Sequence, residues 1–203
     1  VQLGSIGLAG LLSTRDFGDG LSTHVVGSDG VWRAGDNDQW RGHLLLSSTT
    51  LALGEDGEVQ RVGRQQGHRA WVGWRHRDAD WVAHVNVEEI SPRFANDNGF
   101  VSQSGVRRAS AFGYLRLGER AFAGLDLHDH EAVLKLQETR TMADPLLGVA
   151  AGQVVDRLVQ PGFWFAAARN TGVWGHVGLD SHRARSGGRL HPTRTLLLGL
   201  RSE

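Results

Sequence analysis

The sequence predicts an all-β fold: an antiparallel up-and-down transmembrane β-barrel of about ten strands, or a contiguous part of a larger barrel. Three observations predict it. Apolar and polar residues alternate in many segments, turn-forming residues separate those segments, and no long stretch shows a helical period. Strict alternation gives a strand one apolar and one polar face. We therefore treat residues 1–203 as a single β-barrel domain, either whole or a fragment of a larger barrel.

Composition narrows the class of protein. Lys plus Arg and Asp plus Glu both number 22, so the formal net charge is zero and gives no electrostatic reason to expect a nucleic acid partner. There is no cysteine, which excludes disulfides and thiolate metal sites. No apolar run approaches the roughly 18 residues of a membrane-spanning helix, so strands are the only expected way across a bilayer.

Four segments alternate most clearly; they are residues 42–47, 70–75, 81–88 and 173–180. In the third, Ala83 and Val85 share one face, and His84 and Asn86 share the other. The best helix candidate, residues 132–138, also alternates as a strand would. Period two therefore dominates the chain.

The connections between these segments predict the architecture. Short polar turns are expected at residues 35–38, 77–80, 117–120 and 169–172. Longer connections are expected at residues 15–21, 51–67, 88–104, 129–159 and 183–191. Strict alternation of short and long connections leaves strands of about 9 to 13 residues, enough for a tilted strand to cross a bilayer. Short turns on one rim and long loops on the other are the plan of an outer-membrane barrel.

The environment decides what each face does. In a membrane barrel the apolar side chains point to lipid and the polar ones point into the lumen. The lumen-facing candidates are then Arg69, Arg75, His84, Arg108, Arg116, Asp126, His128, His176 and Asp180. The lipid-facing candidates are Val72, Trp74, Ala83, Val85, Val177 and Leu179. The alternative is a soluble lipocalin-like barrel that binds a small apolar ligand and has these faces reversed.

Tryptophans lie near several of the connections; they are Trp32, Trp40, Trp74, Trp81 and Trp164. Outer-membrane barrels place aromatic belts at such positions, at the membrane–water interface. Tryptophan is also common in any half-buried strand, so this pattern leaves both interpretations open.

Five short motifs stand in a fixed order in the first half of the chain. They are a strand ending Thr14-Arg15-Asp16, the segment Val25-Val26-Gly27-Ser28-Asp29, a strand led by Trp40, a strand with Trp74-Arg75, and Pro92-Arg93-Phe94 followed by Gly99-Phe100-Val101. In this order the chain resembles, over about residues 5–110, an uncharacterised outer-membrane barrel family that commonly follows a carbohydrate-binding-like β-sandwich domain in Gram-negative envelope proteins. The resemblance implies a barrel longer than this chain, a saccharide-related envelope system, and no catalytic residues.

Candidate chemistry is sparse. Asp126, His128 and His130 share a face of one predicted strand and are weak metal-ligand candidates, but polar rim residues explain them as well, and we expect no metal or other cofactor. No Gly-x-Ser-x-Gly motif occurs, and no catalytic residue is predicted. A rim-active outer-membrane hydrolase would have to use His43 near Ser47, or His182 near Ser181.

Basic and aromatic residues on the polar face suggest two uses for a lumen. Arg69, Arg75, Arg108 and Arg116 could select anions, and Trp71 and Trp174 could stack on sugar rings. Pairing of the arginines with Glu88, Asp126 and Asp180 in a filled lumen is the favoured interpretation for a small barrel. We expect a non-enzymatic, porin-like conduit or membrane anchor in the bacterial outer membrane. Its partners would be outer-membrane lipid and further barrel segments or envelope proteins, and no nucleic acid.

Overall fold

The computed structural model describes residues 2–3, 5–53, 59–96, 103–118, 120–122, 125–167, 171–186 and 189–201. In these ranges the regular structure is β-strand, and one antiparallel sheet contains every strand. No helix in these ranges is long and apolar enough to cross a membrane. The predicted all-β, antiparallel up-and-down fold is confirmed.

The strands follow the chain from one side of the sheet to the other. They are β1 (Gln2–Leu3), β2 (Ile6–Gly18), β3 (Leu21–Ala34), β4 (Asp38–Leu53), β5 (Val59–Arg77), β6 (Trp81–Ile90), β7 (Val106–Arg116), β8 (Arg120–Phe122), β9 (Leu125–Thr141), β10 (Val154–Ala167), β11 (Thr171–Ser186) and β12 (Arg189–Arg201). The short β8 pairs with β9, and β7 and β9 are neighbours. Ten of the described strands, all except β1 and β8, are long, which agrees with the prediction of about ten strands. The pairings run from β1 to β12 and are not closed by a pairing between described residues.

The strict alternation of short and long connections is wrong. β2 continues to Gly18 and β3 begins at Leu21, inside the connection expected at residues 15–21. β11 ends at Ser186 and β12 begins at Arg189, inside the connection expected at residues 183–191. Polar residues do not end a strand whose backbone still finds hydrogen-bond partners.

Several other strands also extend beyond their predicted ends, for the same reason. β4 and β5 together leave only residues 54–58 between them, and β9 and β10 leave residues 142–153. The long strands therefore have from 10 to 19 residues; β2, β6, β7 and β12 have the predicted length of about 9 to 13 residues, and the others are longer. Short connections at residues 35–37 and 78–80 define a short-turn rim, and the connections at 91–105 and 142–153 lie on the opposite, long-connection rim.

Register assigns each side chain to a face, because directly opposite residues in an antiparallel pair point to the same side. Trp74 lies opposite Val85, which lies opposite Ala111, which lies opposite Leu136. We call this side of the sheet the apolar face. The other side, the polar face, carries the neighbouring residues on each strand; Gly73, Asn86, Ser110 and Gln137 form the corresponding row.

Burial is inverted between the faces. The buried apolar strand residues lie on the polar face; they are Val25, Val82, Ile90, Val106 and Leu158. On the apolar face, Leu196, Leu198 and Leu200 are 68%, 64% and 70% exposed. The accessible surface is 13327 Å², against about 9,300 Å² for a compact monomer of 22.1 kDa. Among the described strands, substantial contacts join only neighbours in the sheet, so no second layer of strands packs on the polar face.

Candidate functional site

The six lipid-facing candidates lie together on the apolar face. Val72 is opposite Val87, Trp74 is opposite Val85, and Ala83 is opposite Gly113. Further along the same face, on β11, Leu179 lies opposite Val159, and Val177 lies opposite Leu196. Val72, Val85, Val177 and Leu179 are exposed, whereas Trp74 and Ala83 are half-buried. A contact of this face with lipid is a proposal, taken up below.

Tryptophans form a row on the apolar face at the short-turn rim. Trp32 lies opposite Trp40, which lies opposite Trp74, on three adjacent strands. The ring centroids of Trp40 and Trp74 are 6.3 Å apart, and those of Trp74 and Trp81 are 6.2 Å apart. Trp164 is not part of this row, because it lies opposite Trp174 on the polar face.

Ion pairs bound the apolar face toward the long-connection rim. Glu89 pairs with His68 on one side and with Arg107 on the other. Glu138 pairs with Arg140 and with Arg157. From Trp81 to Glu89, β6 covers about 27 Å at 3.4 Å per residue. With a strand tilt of about 40°, the apolar band between the tryptophan row and the ion pairs is roughly 20 Å tall, close to that of outer-membrane barrels.

His76 lies just beyond the tryptophan row, outside the apolar band. Its Nε2 is 3.0 Å from Asp78 and its Nδ1 is 3.1 Å from Asp38. Trp74 also donates a hydrogen bond to Asp38, at 2.8 Å. The hydrogen bond to Asp78 is the main cause that raises the pKa of His76, and partial burial opposes it. The same hydrogen bond lowers the pKa of Asp78. The spacing of residues in the sequence does not predict this cluster of His76, Asp38 and Asp78. It forms because the pairing of β4 with β5 places Asp38 opposite His76.

Most lumen-facing candidates lie on the polar face; Arg69, Arg75, His84, Arg108, Arg116 and His176 are there. The side chains of Asp126, His128 and Asp180 lie outside the described residues. Glu88 receives hydrogen bonds from Arg69 at 2.7 Å and from Arg108 at 3.4 Å, so the predicted pairing with Glu88 is confirmed for these two. Arg116 lies 3.6 Å from Glu131 instead.

Trp71 and Trp174, the two tryptophans considered for stacking on sugar rings, both form contacts within the protein. Trp71 stacks on His43, with centroids 5.6 Å apart and planes at 22°. Trp174 lies opposite Gly199, where an added Cβ would be 2.2 Å from the indole ring. These contacts limit the ring surface that either tryptophan offers to a sugar.

The connection after β6 folds over the polar face at the long-connection rim. Ser91 Oγ accepts a hydrogen bond from the backbone N–H of His68 at 2.8 Å, and Phe94 is buried. A Cβ on Gly67 would lie 2.2 Å from the backbone nitrogen of Phe94, so only glycine allows this approach. Arg93 pairs with Asp144 of the connection after β9 at 2.9 Å. The two connections together cover part of this rim, which sequence reasoning missed because both were expected to be unattached polar loops.

Catalytic and metal chemistry find little support in the part of the chain that the structure describes. No group of three metal-binding side chains occurs there. His130 lies on the apolar face, opposite Phe165, and its Nδ1 is 2.7 Å from the Gly118 carbonyl. Ser47 bonds to the backbone at Ala95 and Gly67, and His43 Nε2 has no hydrogen-bond partner among the described residues. The side chains of Ser181 and His182 lie outside the described residues.

Comparison with protein-family models, with curated proteins and with solved structures found no match for this chain.

Proposed function

We propose that this chain is a membrane-embedded β-barrel, or a contiguous part of a larger one, in the outer membrane of a Gram-negative bacterium. It acts as a conduit or a membrane anchor of an envelope system and carries out no reaction. The proposal follows from the faces of one sheet and from the resemblance of the first half of the chain to an envelope barrel family.

The observation that carries the proposal is the inverted burial. In water, exposing a continuous apolar face costs roughly 25 cal/mol for each Å². Leu44, Leu46, Val72, Val85 and Leu134 are all exposed on that face, on β4, β5, β6 and β9. Lipid removes the cost, and the tryptophan row and ion pairs bound the band as interfacial residues do.

The two alternatives require different arrangements. A lipocalin-like barrel buries its apolar face around a ligand, whereas here Val25, Val82 and Leu158 are buried on the polar face. A rim-active hydrolase needs a serine hydroxyl bonded to a histidine ring, and Ser47 bonds to backbone groups instead of His43. We therefore favour the membrane barrel. The saccharide link rests on the resemblance alone.

Membrane fractionation tests this proposal. We expect the full chain to sediment with membranes, to resist a carbonate wash and to require detergent for extraction. Val85→Lys should reduce membrane assembly strongly, because a lysine facing mid-bilayer lipid costs about 2–4 kcal/mol. Ser110→Lys is the matched control, because Ser110 lies in the middle of the polar face, opposite Asn86. Recovery of folded wild-type protein in the soluble fraction, or equal tolerance of both lysines, would contradict the proposal.

A further inference from the structure

The polar face contains a depression of about 190 Å³ between β4, β5 and β6. Its floor is Gly73, which lies opposite Arg41 on β4 and opposite Asn86 on β6. The lining side chains are Gln39, Arg41, Trp71, Arg75, His84 and Asn86. A Cβ at Gly73 would lie 2.5 Å from Asn86 Oδ1 and 2.7 Å from the Trp71 ring, so glycine at this position lets these two lining side chains come close to β5.

Two guanidinium groups flank the depression. Arg41 lies directly opposite Gly73, and Arg75 lies two residues further along β5, so their Cβ atoms are diagonal neighbours roughly 7–8 Å apart. Long side chains at that spacing can direct both guanidinium groups at one bound group. Neither arginine forms an ion pair or side-chain hydrogen bond with another described residue.

The nearby carboxylates are engaged elsewhere. Glu88, on the same face, is shared between Arg69 and Arg108, so this trio keeps a net positive charge. Asp38 lies on the apolar face and bonds to Trp74 and His76. Asp29 lies opposite His43, one row from Arg41, and forms no ion pair with it. Among the described residues, therefore, no carboxylate forms an ion pair with either arginine of the depression, which carries an excess of positive charge.

We propose that this depression, which we call the Gly73 depression, binds the oxyanion group of a small polar solute, such as a carboxylate or a phosphate. Arg41 and Arg75 bind the oxyanion through paired N–H donors, which match its geometry. Gln39 and Asn86 offer amide groups to the polar remainder of the solute. The inference deepens the proposed conduit and rests on it for the way in, since the polar face of a membrane barrel is its interior.

Isothermal calorimetry on the full chain in a neutral detergent tests this site, with inorganic phosphate and glucuronate as probes and glucose as the uncharged counterpart of glucuronate. We expect saturable binding of one or both anions and none of glucose. Arg41→Gln with Arg75→Gln should weaken anion binding at least tenfold. Arg41→Gln alone should weaken binding several-fold, whereas Arg64→Gln, which removes the same single charge from an exposed position elsewhere on β5, should change the affinity less than twofold. Gly73→Ala, which keeps every charge but displaces the Asn86 and Trp71 side chains that line the depression, should also weaken binding.

Each outcome separates this site from the membrane proposal. Absence of saturable anion binding, or equal affinities in the wild type and the double variant, overturns the site. An equal loss with Arg64→Gln overturns it too, because the attraction would then be unspecific. If the protein needs detergent for extraction but binds no anion, the anion site is contradicted and the membrane proposal still stands. A protein that is folded and soluble without detergent contradicts the membrane proposal even if phosphate binds.

Discussion

The imidazole of His76 lies flat against the indole of Trp81, with ring centroids 4.0 Å apart and ring planes at 14°. Asp78 and Asp38 hold the imidazole in this place through its two ring nitrogens. The stack links the tryptophan row to the turn between β5 and β6, where Asp78 also accepts hydrogen bonds from the backbone of Asp80 and Trp81.

This stack should make the fluorescence of Trp81 depend on pH. The hydrogen bond that His76 donates to the Asp78 carboxylate raises the pKa of His76 above 6.5, so the stabilising contribution of this bond is present below pH 6.5 and is lost as pH rises through the raised pKa. A protonated imidazole quenches indole emission, so the emission of Trp81 should increase as the pH rises, with a midpoint above pH 6.5. The emission of Trp81 is obtained by subtracting the spectrum of the Trp81→Phe variant from that of the wild type. Asp78→Asn should lower the midpoint. A midpoint at or below 6.5 in the wild type would contradict the geometry.

Trp74 is expected to stabilise the short-turn rim through a hydrogen bond as well as through packing. Trp74→Phe keeps an aromatic ring but removes the 2.8 Å bond to Asp38, which should lower the free energy of unfolding by about 1 kcal/mol. Urea titration in detergent measures the change. Trp32→Phe is the control, because Trp32 is half exposed at the edge of the same row. Equal losses in both variants would show that the hydrogen bond contributes nothing.

The alternation of faces was predictable from sequence, and the ends of the strands were not. Side-chain period two places Val85 and His84 on opposite faces whatever the neighbours are. The end of β2 depends on β3, because Arg15 and Asp16 continue the ladder opposite Thr23 and Ser22. The end of β2 can therefore be located only from its pairing register with β3.

The same reasoning explains what was missed at the candidate site. Gly73 and Arg41 become neighbours through the pairing of β4 with β5, and no local pattern marks that pairing. Phe94 reads as part of a loop, yet Gly67 on another strand provides the space in which it is buried. Local sequence therefore predicts faces well, and contacts between strands poorly.

Gly199 should be intolerant of any side chain. Gly199→Ala places a methyl group 2.2 Å from the Trp174 ring, and overpacking of this kind costs about 1–3 kcal/mol. Adding Trp174→Leu should recover most of that loss, which a double-mutant cycle by urea unfolding would show as coupling. Gly10→Ala is the control, because its nearest contact would be 3.8 Å away. Independent, additive effects of the Gly199 and Trp174 substitutions would contradict the predicted contact.

Glu88 is expected to hold two arginines in place at once. Glu88→Gln leaves Arg69 and Arg108 without their shared carboxylate, and we expect a loss of about 1–2 kcal/mol, because both arginines are partly exposed and screened. The loss should shrink in high salt, where dissolved anions replace the carboxylate. Glu131→Gln, which removes a longer 3.6 Å contact to Arg116, should cost less. A loss for Glu88→Gln no larger than that for Glu131→Gln would remove this role.

The most direct test of the account is a spin-label scan along β6 in reconstituted lipid, because the chain has no cysteine and each label can be placed alone. Single cysteines at residues 82–87 would be labelled and exposed to oxygen, which concentrates in lipid, and to a water-soluble nickel chelate. We expect the labels at Ala83, Val85 and Val87 to be more accessible to oxygen, and those at His84 and Asn86 to be more accessible to the chelate. Chelate access at Val85, or no alternation between neighbouring positions, would show that the apolar face does not contact lipid.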